Sequence, residues 1–371
     1  MMSAAGGARI YQLQSLRFVA AALVLYGHAL MEARQHGSRF AQHWTYDLPW
    51  GGGVDIFFVI SGFIILFIAR DAPRSLAAAG DFIAKRIIRL VPLYWIFTAA
   101  MAAVILLLPG RVQEGGLTLG GFVKSLLFVP YIHASSGEVR PVLGQGWTLN
   151  YEFFFYLVFA ATMIVTRRRF AAVSGVLLIC VVVGTSIALP PALASLLNAF
   201  LVLFVIGMAL AHFFDRLPRH GGIVALLIVL AAAAWIAVVP PEAPADVTWR
   251  LVARGVPAVM LVYATLLWRA PPRWITHGTL PMLGDASYAL YLSHPFVVNA
   301  VLIVFAKLHL PFEGVFVLVA VFAAVAASVV IFRWVETPIL LALTRGYRNS
   351  ALGKRARTEP TALATNLGTN G

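Results

Sequence analysis

Residues 15–28, SLRFVAAALVLYGH, carry an arginine and a histidine eleven positions apart in an otherwise apolar stretch. In an α-helix, eleven residues are almost three turns and about 16 Å of rise, so Arg17 and His28 would project from one face. A histidine can act as a general base near neutral pH, and an arginine can bind phosphate oxygens. The structural alternative is an arginine that extends to the membrane interface and a histidine that bonds to a neighbouring carbonyl.

Two carboxylates, Asp55 and Glu152, lie near the beginning of later apolar stretches. Asp55 follows three glycines in WGGGVDIFFVISGFII, and Glu152 lies between two aromatic residues in GQGWTLNYEFFFYLVFA. A charge inside a membrane span costs about 2.5–3.5 kcal/mol on insertion scales, so such residues are expected to have partners or functions. The topology given below places both at the depth of His28, and a carboxylate can orient a histidine and stabilise its cation. We therefore predict His28, Asp55 and Glu152 as catalytic residues; for Asp55, an acid at a helix start is the alternative.

A basic cluster in AKRIIRLVPLYW is predicted at the cytoplasmic level. Arg86 and Arg89 are three positions apart, so they share one face of a helix. Guanidinium groups match phosphate oxygens, which predicts that Arg17, Arg86, Arg89 and Tyr94 bind a phosphorylated donor. The alternative is that these arginines only anchor the helix at the cytoplasmic face, as most such basic residues of membrane proteins do.

A further group of polar and aromatic residues is assigned to substrate contact or to structural polar roles. Among them, His294 lies in YLSHPF at mid-membrane, where Pro295 frees a backbone carbonyl. It is either a second polar residue of the pathway or the partner of that local kink. The outer loop 109–146 is predicted to contact the acceptor. The complete group is Trp147, Asn150, Tyr288, His294 and Glu336.

The composition indicates a membrane protein. The 371-residue chain is 61% hydrophobic and only 12% charged, whereas soluble domains average about 25% charged residues. So much apolar surface requires lipid as its solvent. The net charge of +13 comes from basic residues that punctuate apolar runs, which is typical of topology determinants and excludes a nucleic-acid site. The single cysteine, Cys180, excludes an internal disulfide.

Ten apolar stretches are long enough to cross about 30 Å of hydrocarbon. With the N-terminus in the cytoplasm, most lysines and arginines of the connections fall on the inner side, as the positive-inside rule requires. We predict an all-α polytopic membrane protein with about ten transmembrane helices and cytoplasmic N- and C-termini. The membrane domain is predicted at 1–345 and a disordered cytoplasmic tail at 346–371, and the run 125–132 is expected to be re-entrant or interfacial. The ten stretches are 13–32, 52–69, 88–108, 147–166, 170–189, 192–214, 221–239, 251–268, 283–305 and 313–333.

A transporter or flippase for a glycan or an anionic solute is the main alternative to an enzyme, because intramembrane charges also form substrate and proton sites. The physical chemistry of the residues does not separate the two. The halves of the chain show no evident repeat, and the charged motifs are concentrated in the first four and last two stretches, which speaks against a transporter. A non-catalytic scaffold is disfavoured by the cost of so many intramembrane charges.

The ordered motifs resemble those of the acyltransferase-3 family of membrane O-acyltransferases, and most closely those of its exopolysaccharide and O-antigen acetylases. The resemblance covers residues 10–340 and rests on Arg-x10-His, GVDIFFVISGFII, KRIIRLVPLYW, GWTLNYEFFFYLVF, SYALYLSHPF and a late ETP. It implies that His28 is the catalytic histidine and Arg17 its motif partner. It also implies that Asp55, Glu152 and Arg89 belong to the functional core.

The resemblance further implies transfer of an acyl group, usually acetyl from cytosolic acetyl-CoA, to a hydroxyl of an extracytoplasmic polysaccharide or lipid-linked glycan. The expected location is the bacterial cytoplasmic (inner) membrane. The expected partners are the lipid bilayer, the glycan acceptor and polysaccharide assembly machinery, without nucleic acid and without a metal. Acetyl and succinyl both remain open as the acyl group, as do direct transfer with His28 as base and an acyl-histidine intermediate.

Overall fold

The computed structural model describes residues 10–35, 51–108, 117–133, 136–218, 222–239, 247–268, 272–350 and 353. Regular structure in these ranges is helical, and an isolated antiparallel bridge joins Ile132 to Val139. The α-helices in chain order are α1 (Tyr11–Gln35), α2 (Gly52–Ala69), α3 (Leu76–Leu107), α4 (Leu119–Leu126), α5 (Trp147–Val165), α6 (Arg169–Ser186), α7 (Pro191–Ala194), α8 (Leu201–His212), α9 (Gly222–Val238), α10 (Val247–Arg250), α11 (Val256–Leu267), α12 (Arg273–Thr276), α13 (Thr279–Asp285), α14 (Ser287–Lys307), α15 (Glu313–Ile331) and α16 (Thr337–Asn349).

The helices are those of a multi-pass membrane protein. Among the described residues, eight helical segments are long and apolar enough to cross a membrane, and α8 and α9 are shorter apolar helices at two further predicted stretches. Large apolar side chains lie on the surface, as lipid contact requires: Leu107 is 77% exposed, Val165 73% and Phe322 73%. The predicted all-α membrane fold agrees with these helices, while the count of ten crossings and the cytoplasmic termini remain predictions.

Two helix boundaries differ from the sequence prediction. The third stretch was expected from residue 88, but α3 begins at Leu76, because Ser75 caps it by accepting a hydrogen bond from the Ala78 amide at 3.1 Å. Hydropathy detects only the apolar part of such a helix. At the other end of the chain, α15 continues through a π-helical turn, Phe332–Glu336, into α16. The helix therefore extends to Asn349, and of the predicted tail at 346–371, residues 351–371 lie outside the described residues except for Gly353.

The chain divides into two compact units, and the first comprises Met1–Ile64 and Val202–Arg333. Within it, α1 packs on α13, α14 and α15, and α9 packs on α11. Small side chains in the shared core let these backbones approach closely. The core consists of Ala21, Leu25, Ala29 and Ala33 of α1, Leu290, Val298, Leu302 and Phe305 of α14, and Phe316, Val317, Ala320 and Ala324 of α15.

The second unit comprises Ile65–Leu201 and Trp334–Gly371. Within it, α3 packs on α4, α5 and α16, and α5 packs on α6. The buried Arg169 guanidinium donates to the carbonyl oxygens of Ala69 and Ala72, and to that of Pro73 at 3.2 Å. It thereby binds the last residue of α2 and the turn that follows it. In the run 125–132, α4 ends at Leu126 and the chain turns at Phe128, whose φ is 58°.

The close contact between α2 and α8 gives a first testable prediction. A Cβ atom on Gly62 would meet the Phe204 carbonyl oxygen, and one on Gly207 would meet the Val59 carbonyl oxygen. Backbone cannot yield as a side-chain end can, so Gly62→Ala and Gly207→Ala should each cost about 1–3 kcal/mol. The measurement is the midpoint temperature for loss of the monodisperse protein in detergent.

Gly175→Ala in α6 is the matched control, because a Cβ there meets nothing within 4 Å. Alanine favours a helix over glycine, so this variant should equal or exceed the wild-type midpoint. Equal midpoints for Gly207→Ala and Gly175→Ala would contradict the helix contact.

Candidate functional site

The predicted base, His28, is hydrogen-bonded to a second histidine. Its Nδ1 lies 2.7 Å from Nε2 of His294, so α1 and α14 each contribute one ring. The ring planes differ by 10° and the centroids are 4.9 Å apart. Because atoms of stacked rings stay about 3.5 Å apart, a nitrogen separation of 2.7 Å means that the two imidazoles meet edge to edge. They form one nearly coplanar pair.

The two histidines differ in exposure. His294 is 1% exposed, whereas His28 is half-buried. The Nδ1 atom of His294 lies 3.1 Å from the Leu290 carbonyl oxygen one turn earlier. Pro295 has no N–H with which to bond the Tyr291 carbonyl, and the His294 ring also lies against that carbonyl. The sequence left two interpretations of His294, a second polar residue of the pathway or the partner of the kink at Pro295. The structure supports both, because His294 lies beside the predicted base and also at the proline.

Asp55 takes its partners from the segment before α11. Its side chain is fully buried, and Arg250 Nη2 lies 3.5 Å from its Oδ2. Arg254, one turn further in the π-helical segment Leu251–Gly255, adds a second positive charge near the carboxylate. Gly51 leaves room for the Arg254 guanidinium, which a Cβ at that position would overlap. Asp55 is thus the buried partner of an ion pair at the beginning of α2. Only the spacing of the two arginines could have indicated this pairing in the sequence.

Glu152 belongs to the second unit, where it forms a cluster with Arg86. Tyr156, four residues later on α5, donates a hydrogen bond to Glu152 Oε1. The Arg86 guanidinium interacts with the same Tyr156 hydroxyl and with the charge of Glu152, and it lies 5.6 Å above the Phe82 ring. The sequence prediction put Arg86 at the cytoplasmic level and Glu152 near the outer surface. That separation was wrong, because α3 begins at Leu76 and carries Arg86 about 15 Å along its axis.

Tyr94, another predicted donor contact on α3, lies among aromatic residues. It is fully buried and stacks on Phe128, whose ring in turn stacks on Phe153 at 4.5 Å between centroids. Gly146, just before α5, lies against the Tyr94 ring. Eight residues separate Arg86 from Tyr94, which is about 12 Å along the helix. Tyr94 therefore packs against the connection that precedes α5, and Arg86 does not.

The remaining predicted residues lie in several places. Arg17 donates to Gln14 Oε1 at 3.1 Å on α1. Arg89 and Glu336 line one small cleft between α3 and α16. Trp147 packs on Tyr151 and Phe200, Asn150 is 5% exposed, and Tyr288 lies buried in the first turn of α14. Of the predicted outer loop, residues 109–116 and 134–135 are outside the described ranges.

The structure thus gives each predicted catalytic residue a partner that sequence reasoning had not assigned. His28 has His294, Asp55 has Arg250, and Glu152 has Tyr156. Tyr156 could have been found as the i+4 neighbour of Glu152 on a helix. In the described part of the chain, no three His, Cys, Asp or Glu side chains converge in a metal-ligand arrangement.

A match to a protein-family model decides what kind of protein carries this site. The model Acyl_transf_3, described as an acyltransferase domain, matches residues 10–333. The chain belongs to the acyltransferase-3 family. It is therefore an O-acyltransferase, and the predicted family and enzyme class are confirmed.

Three curated proteins are similar to this acyltransferase. The exopolysaccharide production protein ExoZ of Rhizobium meliloti (strain 1021) is 38% identical over 300 residues, which cover 78% of this chain and 89% of ExoZ. The acyltransferase MdmB of Streptomyces mycarofaciens is 28% identical over 66% of this chain and 67% of its own. Nodulation protein 10 of Rhizobium leguminosarum bv. viciae is 27% identical over 41% and 44%. No solved structure matches the chain.

The cluster of Arg86 and Glu152 gives a prediction about the stability of the acyltransferase. Arg86 is buried and Glu152 is half-buried, so removing either charge leaves the other less well compensated, which is more costly than removing both. Arg86→Met and Glu152→Gln should therefore each lower the thermal midpoint, and the double variant should lose less than the sum. We expect a coupling free energy of about 0.5–3 kcal/mol.

Lys85→Met is the matched control, because the Lys85 side chain is 58% exposed and pairs only across one turn with Asp81. It should combine additively with Glu152→Gln. Additive losses for Arg86→Met and Glu152→Gln would mean that the two side chains do not form one cluster.

Proposed function

We propose that this acyltransferase transfers an acetyl group from cytosolic acetyl-CoA to a hydroxyl of an extracytoplasmic polysaccharide or lipid-linked glycan, with His28 as the general base. The observation that carries the proposal is the half-buried His28 ring, held by a buried partner on α14. A base needs a ring held in a fixed orientation, and the bond to His294 provides that. The name of ExoZ, an exopolysaccharide production protein, supports a polysaccharide acceptor.

The proposed reaction has a simple proton balance. One ring nitrogen of His28 takes the proton of the acceptor hydroxyl while the hydroxyl oxygen forms a bond to the thioester carbonyl carbon. The carbon–sulfur bond then breaks, and the imidazolium returns the proton to the departing thiolate of coenzyme A. In the alternative sequence, His28 attacks the thioester carbonyl carbon and the carbon–sulfur bond breaks, which releases the thiolate of coenzyme A. The acceptor hydroxyl oxygen then displaces the imidazole from the acyl group, and the hydroxyl proton passes to the thiolate. Both sequences use the same ring nitrogen of His28.

Arg17 is the proposed contact for the phosphates of the donor. It lies eleven residues before His28 on α1, about 16 Å along the helix. The pantetheine arm of coenzyme A has a length of that order, so the thioester could reach His28 while the nucleotide stays near Arg17. Arg86 and Arg89 were predicted as further donor contacts. Arg86 is 6% exposed and already engages Tyr156, so it is not part of the proposed contact, and Arg89 stays a prediction.

The proposed topology follows the positive-inside rule, with both termini in the cytoplasm of a bacterium and the protein in its inner membrane. The donor then approaches from the cytoplasm, and the acceptor from outside. Polysaccharide assembly machinery is the partner that would supply such an acceptor. Asp55 has the partner Arg250 and Glu152 has the partner Tyr156, so neither carboxylate is proposed as the group that orients His28.

Transfer across inside-out membrane vesicles tests the proposal. The vesicles contain de-acetylated exopolysaccharide, and radiolabelled acetyl-CoA is added outside, at the former cytoplasmic face. Wild type should label the enclosed polysaccharide. His28→Ala should reduce labelling at least about 100-fold, because general-base catalysis contributes 10²–10⁴-fold, and Arg17→Ala should raise KM for acetyl-CoA.

His212→Ala is the control, since His212 ends α8 and is exposed. It should label as wild type does at matched protein level. Unchanged labelling with His28→Ala would reject the base, and labelling from succinyl-CoA in preference to acetyl-CoA would change the assigned donor.

A further inference from the structure

The hydrogen bonds that join Leu290, His294 and His28 determine where the protons lie. We propose that His294 is a positioning residue that holds His28 in the tautomer with its proton on Nδ1, which leaves Nε2 of His28 as the base nitrogen. The inference rests on the proposed function only in calling that nitrogen the base. The assignment of the tautomer stands on the geometry alone.

The proton assignment starts from the Leu290 carbonyl oxygen, which can only accept a hydrogen bond. The His294 nitrogen 3.1 Å from it, Nδ1, must therefore carry a proton. In a neutral imidazole the other nitrogen then has a lone pair, so His294 Nε2 is an acceptor. The His28 nitrogen at 2.7 Å, Nδ1, is consequently the donor. A neutral His28 that is protonated on Nδ1 has its lone pair on Nε2.

The reverse direction of the bond between the rings would require a charged His294. If His294 Nε2 donated to His28, both nitrogens of His294 would carry protons. The side chain is 1% exposed and packed among apolar helices, where an unpaired charge loses its solvation. The neutral chain avoids this cost. It places the later charge on His28, which is half-buried, when Nε2 takes a proton.

The near coplanarity of the rings adds orientation to the choice of tautomer. With 10° between the ring planes and 2.7 Å between the nitrogens, the bond fixes rotation of the His28 ring about its last torsion. The His294 ring is fixed in turn by a carbonyl of its own helix. Once His28 becomes a cation, its bond to the His294 lone pair is charge-assisted and stronger. A neutral histidine therefore does for His28 what a carboxylate was predicted to do.

Spectroscopy tests the tautomer without reference to activity. Protein labelled with ¹⁵N-histidine in lipid is compared with its His28→Gln variant at a pH where the ring is neutral, and the lost signals are assigned to His28. We expect a protonated Nδ1 and an unprotonated Nε2. In His294→Phe, which removes the acceptor but keeps a ring, this pattern should be replaced by a mixture or by protonated Nε2. The opposite pattern in wild type would overturn the inference.

Kinetics test the consequence. His294→Phe should lower kcat about 10–100-fold, as loss of an orienting partner does, with KM for acetyl-CoA unchanged. His294→Gln keeps an oxygen that can accept from His28 Nδ1 and should recover most of kcat. Asn299→Ala is the control on α14, because the Asn299 side chain is exposed and bonds only to the Pro295 carbonyl. The comparison uses only variants whose thermal midpoints equal that of the wild type.

Two outcomes separate this inference from the proposed function. If His28→Ala abolishes transfer but His294→Phe and His294→Gln both match wild type, the base stands and the positioning role fails. If the predicted tautomer is observed but His28→Ala still transfers acetyl groups, the tautomer stands and the base role fails.

Discussion

An ionisable side chain inside an apolar helix bundle must find its hydrogen-bond partners within the bundle, because lipid offers none. The hydrogen bond between His28 and His294 is the instance on which the proposed active site depends. It joins α1 to α14 and continues to a backbone carbonyl, and in our proposal it selects the nitrogen that acts as the base. Asp55 also finds its partner within the bundle, in this case the opposite charge of Arg250.

Close helix packing makes such short contacts possible. Alanines of α1 face the core that α14 and α15 share with it, so the backbones approach and the two imidazoles meet without long side chains. Glycines act similarly between α2 and α8, where Gly62 and Gly207 each lie against a carbonyl of the other helix. The precision of the site therefore comes from small residues that take no part in chemistry.

The sequence predicted the apolar helices, the family and the ionisable residues that are costly to place in a membrane. Each of these depends on composition or on order along the chain. The sequence did not predict partners. Topology assigns a side chain its depth but not its direction around the helix axis, so His28 was paired with a carboxylate and His294 was left with two interpretations. Depth itself failed for Arg86, because the polar first turns of α3 are helical although hydropathy does not detect them. The second arginine near Asp55, Arg254, lies in a π-helical turn, and that turn has no pattern in the sequence.

A neutral partner has a physical advantage over a carboxylate in this setting. A buried carboxylate would bring a permanent charge into the membrane, and it would need its own counter-ion, as Asp55 needs Arg250. In the proposed tautomer, the chain from Leu290 through His294 to His28 is uncharged at rest, so it incurs no such cost. In the proposed reaction, charge appears only during turnover and on His28, which is the less buried of the two rings. The expected consequence is a weaker base that costs less free energy to bury. Such a base suits the transfer of an acyl group from an activated thioester to a hydroxyl, because the leaving thiolate requires little driving force from the protein.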